Sequence, residues 1–131
     1  MRNRVAIGLV LPGLLLTAAT APAHHAFSSE FDIDKPLRLQ GTVTVMEWVN
    51  PHSWIHIEVK SPDGAVEWMV EGGSPNQLLR LGFTKNALAP GMEIIVTGFQ
   101  AKDGTHKAVG RDLTFADGRK LFLSESAATP K

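Results

Sequence analysis

The sequence of 131 residues contains no cysteine and no tyrosine, and only 20% of its residues are charged. Without cysteine, the chain cannot form disulfide bonds, thiolate zinc sites, iron–sulfur clusters, a cysteine nucleophile, a c-type haem attachment or a lipoprotein anchor. Basic and acidic side chains number 13 each, so the formal charge of zero gives no electrostatic argument for a nucleic-acid partner. The length fits one domain, and the hydrophobic content of 44% is that of a globular chain.

The first 23 residues have the features of an export signal. Arg2 and Arg4 give a positive start, residues 5–17 form an apolar run, and residues 21–23 (Ala-Pro-Ala) match the small-x-small cleavage pattern. The apolar run is short for a membrane-spanning helix. We therefore expect cleavage after residue 23, a periplasmic or secreted mature protein, and no stable membrane anchor after cleavage. An uncleaved N-terminal anchor is the alternative.

The remaining chain divides by pattern into an extended N-terminal arm (24–36), a β-barrel-like domain (37–123) and a flexible tail (124–131). Apolar and polar residues alternate from Leu37 onward, which predicts a first strand with Val45 on its apolar face and a bulge near residues 46–49. The same alternation and the turn residues between the runs predict further strands at 53–60, 65–71, 92–101, 107–115 and 120–123.

One short helix is predicted at about residues 75–82. Ser74 suits the N-cap, Pro75 suits the first helical position, and Gly82 ends the helix. Three strands, a helix and then further strands is the order of an OB-type barrel. The sequence therefore predicts a mainly β protein, a small OB-like barrel of five to six strands, with an open sandwich or a flatter meander as the alternative.

Four of the five histidines lie in two clusters, His24-His25 and His52 with His56. Imidazole nitrogens suit copper and zinc. Cleavage after residue 23 would leave His24 with a free α-amine, so its amine and ring could chelate one ion. In this respect His24 resembles the first residue of the histidine brace of copper proteins. We predict that the mature protein binds one divalent transition ion, copper first, through His24, His25 or both, with His52 as a third ligand.

The spacing of the second cluster limits its use in a metal site. In a strand, four residues span about 13 Å, so His52 and His56 do not share an ion unless the chain bends sharply. His52, beside the turn, is the better ligand candidate, and His56 is better suited to a cross-strand polar contact. Glu30, Asp32 or Asp34 could supply an oxygen ligand in place of His52. Solvated or hydrogen-bonded histidines are the alternative to any metal site.

Trp48, Trp54 and His56 form a second candidate site, an aromatic ligand face. Trp54 alternates with the apolar residues of its strand, and OB-type barrels bind ligands by stacking on such a face. The alternative is that the rings fill the core. Both candidate sites predict a small exported binding protein, with either a metal or another ligand or protein partner. No nucleophile or carboxylate pair has a catalytic pattern, so no catalytic residue is assigned and a binding role is favoured over an enzymatic one.

Several motifs of the chain resemble those of a family of small exported bacterial proteins of unknown function. These are the start HHAFSSEFDIDKPLRLQGTV, then EWVNPHSWIHIEV, then EGGSPNQLLRLGF, and finally DGRKLF. The most specific are His24-His25-x-Phe27 and the run from Glu47 to Trp54. The resemblance covers about residues 24–123 and implies a periplasmic or secreted location, with no assigned activity and no catalytic residues.

Overall fold

The computed structural model describes residues 30–125. The predicted export signal, His24, His25 and most of the predicted tail lie outside this range. The secondary structure consists of β1 (Phe31–Glu47), β2 (Trp54–Ser61), β3 (Gly64–Glu71), α1 (Pro75–Arg80), β4 (Glu93–Ala101), β5 (Lys107–Phe115) and β6 (Lys120–Phe122).

The six strands form one sheet in the order β3-β2-β1-β4-β5-β6, and a further pairing between β3 and β5 closes the first five into a ring. The closing pair is parallel and runs from Met69 opposite Lys107 to Glu71 opposite Val109. The other strand pairs are antiparallel. Because the helix lies between the third and fourth strands of this ring, the predicted small OB-like barrel is confirmed.

Strand β1 begins at Phe31, earlier than the predicted start at Leu37. Phe31 is 3% exposed and pairs with Ala101, and the regular pairing with β4 resumes at Pro36. The second half of the predicted arm (24–36) therefore belongs to the sheet. The alternation that starts at Phe31 is interrupted at Lys35 and Pro36, which is why the sequence pattern places the start of the strand too late.

A bulge in β1 lies at Thr44 and not at the predicted residues 46–49, because the register with β2 shifts between Val43 and Val45. The extra residue changes the phase of the strand. Val43 is 1% exposed, whereas Val45 is 46% exposed, so the prediction that both belong to one apolar face is wrong.

The core fills the inside of the ring with aliphatic and aromatic side chains. It includes Val43, Ile55, Ile57, Val70, Leu78, Phe83, Ile94, Val96, Leu113 and Leu123. At Gly98 a Cβ atom would overlap the carbonyl oxygen of Val109, so only glycine allows β4 and β5 to approach this closely. The barrel is therefore stabilised by side-chain burial on one face of each strand.

Helix α1 packs against the core and confirms the predicted helix near 75–82, although it ends at Arg80. Ser74 Oγ accepts a hydrogen bond from Gln77 N, and the side chain of Gln77 accepts one from Ser74 N. This reciprocal pair satisfies amides at the start of the helix. Leu78, fully buried, holds the helix to the core.

The hairpin between β2 and β3 fixes which residues face each other across these strands. Ser61 lies opposite Gly64 around a two-residue turn, and the register continues without interruption to Trp54 opposite Glu71. Gly64 has a φ of 119°, a conformation that favours glycine. The far end of this hairpin therefore brings the start of β2 and the end of β3 together.

Candidate functional site

The side chains of His52 and Glu71 are in close contact at the end of the β2–β3 hairpin, and these two residues are here called the turn pair. His52 Nδ1 lies 2.6 Å from Glu71 Oε1. The side chain of His52 is 49% exposed, whereas that of Glu71 is 11% exposed. The carboxylate of Glu71 is therefore mostly buried, and the ring of His52 is half-exposed. Among the described residues only Nδ1 of this ring has a partner, so Nε2 could bind a further ligand.

Backbone hydrogen bonds hold the turn pair in place. Ser53 N donates to Gly73 O at 3.0 Å, and Gly72 N donates to Ser53 O at 2.9 Å. These bonds fasten the β1–β2 turn, which contains a cis Asn50-Pro51 peptide bond, to the segment after β3. The two residues of the turn pair are therefore positioned by the same local contacts.

The surroundings of Glu71 raise the pKa of its carboxyl. Burial raises the pKa of its carboxyl, and the nearby charge of Glu30 raises the pKa further, while His52 and Lys107 act to lower it. The net direction is upward. Glu30, Lys107 and the turn pair therefore belong to one electrostatic cluster.

Lys107 connects this cluster to the first described residue of the chain. Its Nζ lies 2.7 Å from Glu30 Oε1 and 5.0 Å from the ring centroid of Trp54. The hydrogen bond to Glu30 is the main cause that raises the pKa of Lys107. Trp54 lies opposite Glu71 in the sheet, so the ring that this lysine contacts belongs to a direct neighbour of the turn pair.

His56 makes a different arrangement, here called the strand bridge. Its Nε2 lies 3.1 Å from Glu47 Oε1 on β1, and its Nδ1 lies 3.1 Å from Glu67 Oε1 on β3. The side chain of His56 is 13% exposed. Both ring nitrogens are engaged, so the strand bridge joins three neighbouring strands and leaves no ring nitrogen for a metal.

The tryptophans of the predicted ligand face separate into two groups. Trp48 packs against the core and stacks on Phe83 at a centroid distance of 6.4 Å. Trp68 also packs against the core, and its ring lies 5.0 Å from that of His106. Trp54 and His56 are half-buried on the outer side of β2, whose inward residues are Ile55 and Ile57. The predicted face is therefore divided: Trp48 belongs with the core, and Trp54 and His56 share the outer surface.

Of the predicted metal ligands, the structure describes His52 alone. Within residues 30–125, no three histidine or acidic side chains are grouped closely enough to hold a metal ion. Of the alternative oxygen ligands, Glu30 is bound to Lys107, and Asp32 lies 3.9 Å from Lys35. A metal site at His52 would therefore need ligands from outside the described range.

Glu71 and Lys107 are site residues that sequence reasoning missed. Glu71 could have been found, because a two-residue turn at Pro62-Asp63 places it opposite Trp54 by simple counting from Ser61 and Gly64. Lys107 had no such signal, since its position depends on the pairing of β3 with a distant strand.

Comparison with known proteins gives a family and no function. No curated protein matches the chain. Within the described residues, no helix is both long enough and apolar enough to span a bilayer. Residues 13–111 match a family of unknown function, DUF6152, and this match covers most of the sequence. The chain therefore belongs to the DUF6152 family.

Proposed function

We propose that this protein is a small exported binding protein that holds one divalent transition ion, copper first, at the turn pair. In this proposal His52 supplies one nitrogen, and His24, His25 or both supply the others after cleavage behind residue 23. No catalytic step is assigned to the bound ion.

The observation that carries the proposal is the contact of His52 Nδ1 with the carboxylate of Glu71. Histidines that bind metals commonly donate their second ring N–H to a carboxylate, which fixes the ring and makes the ligating nitrogen more basic. The half-exposed ring of His52 has this arrangement already, with Nε2 as the nitrogen for the metal.

The position of Glu30 supports a contribution from the N-terminal histidines. His24 and Glu30 are six positions apart in sequence, and a chain of that length reaches at most about 20 Å. Glu30 is bound to Lys107, which lies over Trp54 two residues from His52. The chain that leads to His24 therefore starts beside the turn pair.

The donor chemistry favours copper. Imidazole nitrogens and an α-amine form a nitrogen-rich set, and Cu²⁺ binds such sets more tightly than the other first-row divalent ions. The α-amine has an ordinary pKa near 8, so a competing metal displaces its proton at neutral pH.

Calorimetry with Cu(II) tests the proposal on protein that begins at His24. We expect one ion per chain, and we expect His52→Ala to weaken binding at least tenfold, the loss typical even of an outer residue in a metal site. An added glycine before His24 should weaken binding by a similar factor. His106→Ala, which removes an exposed histidine on another loop, is the matched control and should leave the affinity unchanged.

Two results would end the metal proposal. One is a dissociation constant no tighter than about 1 mM for the protein that begins at His24. The other is equal affinity in the His52→Ala and His106→Ala variants. The intact mass of protein recovered from the periplasm or medium tests the export proposal separately, since a mass that starts at Met1 would exclude cleavage.

A second candidate function is favoured by Trp54. This ring, unlike Trp48 and Trp68, is not among the side chains packed against the core, and Lys107 lies over it. An outward tryptophan on the second strand of an OB-type barrel suits stacking with an aromatic or protein ligand. Tryptophan fluorescence of metal-free protein, excited at a wavelength that the probe does not absorb and titrated with benzyl alcohol as the aromatic probe, tests this role. A shift that is lost in Trp54→Leu and kept in Trp48→Leu would favour it over the metal.

A further inference from the structure

A cleft of about 380 Å³ lies on a different part of the barrel, where β1, β4 and β5 are neighbours. Its walls include Leu37 and Arg38 from β1, Thr97 and Phe99 from β4, and Arg111 from β5. The volume falls in the range of small-molecule sites, about 300–1,000 Å³. The lining combines apolar side chains with two cationic ones.

A bulge directs Arg111 toward this cleft. The pairing of β4 with β5 passes from Thr97 opposite Asp112 to Gly98 opposite Gly110, so Arg111 is an extra residue with no partner on β4. Bulges of this kind re-aim a side chain and occur often beside functional sites. Arg38 lies opposite Thr97 on the other side of β4, so the two arginines flank the same strand.

Two of the four described arginines have an acidic partner and two do not. Arg80 is paired with Glu125 at 2.7 Å, and Arg119 is paired with Asp117 at 2.7 Å. Within residues 30–125, no acidic side chain lies within ion-pair distance of Arg38 or Arg111.

Asp112, the acidic residue next to Arg111 in sequence, contacts a lysine and not Arg111. Asp112 lies 3.5 Å from Lys120, and its side chain is 11% exposed. The two arginines that have no carboxylate partner in the described chain are therefore the two that line one cleft. Their strands flank β4 and so lie about 10 Å apart, a spacing at which two arginine side chains can reach one anion that lies over β4.

We propose that this cleft binds a small organic anion. Its carboxylate or phosphate group lies between Arg38 and Arg111, because guanidinium groups recognise planar or tetrahedral oxyanions through paired hydrogen bonds. Its apolar part lies against Leu37 and Phe99. This site shares no residue with the turn pair, so its test is independent of the test of the metal proposal.

Titrations of the metal-free full chain, followed by two-dimensional NMR at constant ionic strength, test the site. The probes are benzoate and phenyl phosphate, which carry a ring and an oxyanion; benzyl alcohol lacks the charge and inorganic phosphate lacks the ring. We expect saturable shifts with the first two probes, centred on the amides of Thr97, Gly98 and Arg111, and weaker binding of the other two. Whichever of benzoate and phenyl phosphate binds more tightly identifies the oxyanion as carboxylate or phosphate.

Variants at the arginines complete the experiment. Arg38→Gln and Arg111→Gln should each weaken binding of the tighter probe at least tenfold, and the double variant should remove it. Arg119→Gln, an exposed arginine already paired with Asp117, is the matched control and should bind as the wild type does. Thermal unfolding of each variant verifies that it is folded.

Three outcomes would overturn the proposal. These are benzyl alcohol binding as tightly as benzoate, an equal loss in Arg119→Gln and Arg111→Gln, and shifts in the wild type that centre away from β4 and β5. The third result is measured on the wild type, so it tests the position of the site even if a variant does not fold.

Discussion

His52 and His56 lie four residues apart and both contact glutamates, yet their surroundings differ. His56 has both ring nitrogens engaged, by Glu47 and Glu67, and its side chain is 13% exposed. His52 has one nitrogen engaged, by the buried Glu71, and is 49% exposed. The comparison teaches that a histidine with both ring nitrogens bound to carboxylates is suited to a structural role. A histidine with one nitrogen bound to a buried carboxylate can use the other nitrogen as a metal ligand.

The largest effect expected from this comparison is on stability. His56→Ala should lower the free energy of unfolding by about 2 kcal/mol, because it removes two hydrogen bonds to charged groups and the packing of a side chain that is only 13% exposed. His52→Ala should cost about 1 kcal/mol or less in metal-free protein, since its ring is half-exposed. Urea unfolding measures both, and an equal or larger cost at His52 would make it the structural histidine.

The second prediction concerns pH and the buried member of the turn pair. The pKa of Glu71 is raised by burial, so its contribution to stability is fully present below its ordinary pKa, 4.5, and is lost as the pH rises through the raised value. Glu71→Gln removes this titration. In metal-free protein the variant should therefore gain stability relative to the wild type as the pH rises above 4.5, by less than the loss at His56→Ala.

Urea unfolding of both proteins between pH 4 and pH 8 measures this difference. A constant difference across that range would show that burial does not disfavour the ionised carboxylate. The opposite trend would mean that the positive charge near Glu71 outweighs its burial.

The third prediction concerns the coupling free energy of each of the two contacts in the strand bridge. Double-mutant cycles between His56 and Glu47, and between His56 and Glu67, should each give a coupling of about 0.2–1 kcal/mol, because the glutamate side chains are 42% and 59% exposed. The coupling should fall in 1 M salt. A cycle between His56 and the distant Glu93 is the control. Couplings no larger than this control would show that the strand bridge adds nothing to stability.

The fourth prediction concerns Lys107, the lysine that contacts both Glu30 and Trp54. Lys107→Met should cost about 0.5–1 kcal/mol at neutral pH, through the lost contacts with Glu30 and the ring of Trp54. The pKa of Lys107 is raised, so this contribution is present below 10.5 and disappears as the pH rises through the raised value. Urea unfolding at pH 7 and in alkali measures it. A cost that persists unchanged in alkali would mean that packing of the lysine stem, and not its charge, is responsible.

Local patterns were enough to predict most of the fold. Period-two alternation and turn residues located the strands after β1, and Ser74 with Pro75 located the helix, because these signals depend on neighbours in sequence. The bulge at Thr44 could not be placed, because an extra residue between two valines leaves no mark in composition. As a consequence, the sequence pattern assigned Val45 to the apolar face of β1, whereas its side chain is exposed.

The candidate site was predictable to the extent that local geometry determines it. His52 could be selected over His56 from its place beside the turn, and the tight hairpin could have added Glu71. The contacts of Lys107 depend on the closure of the ring between β3 and β5, and those of Arg111 on a bulge facing β4. Both are properties of strands that are distant in sequence, and no spacing rule in the sequence reports them.

The parallel contact that closes the barrel covers only part of one edge of β3. On that side of β3, the pairing among the described residues covers Met69 to Glu71, and the preceding residues of the strand have no partner there. An uncovered strand edge is a place where a second chain can add its own strand. Glu67 lies in this stretch with a side chain that is 59% exposed. In an antiparallel pair of edges with Glu67 opposite its own copy, the two like charges would disfavour the contact, so the carboxylate that contacts His56 would also count against that arrangement.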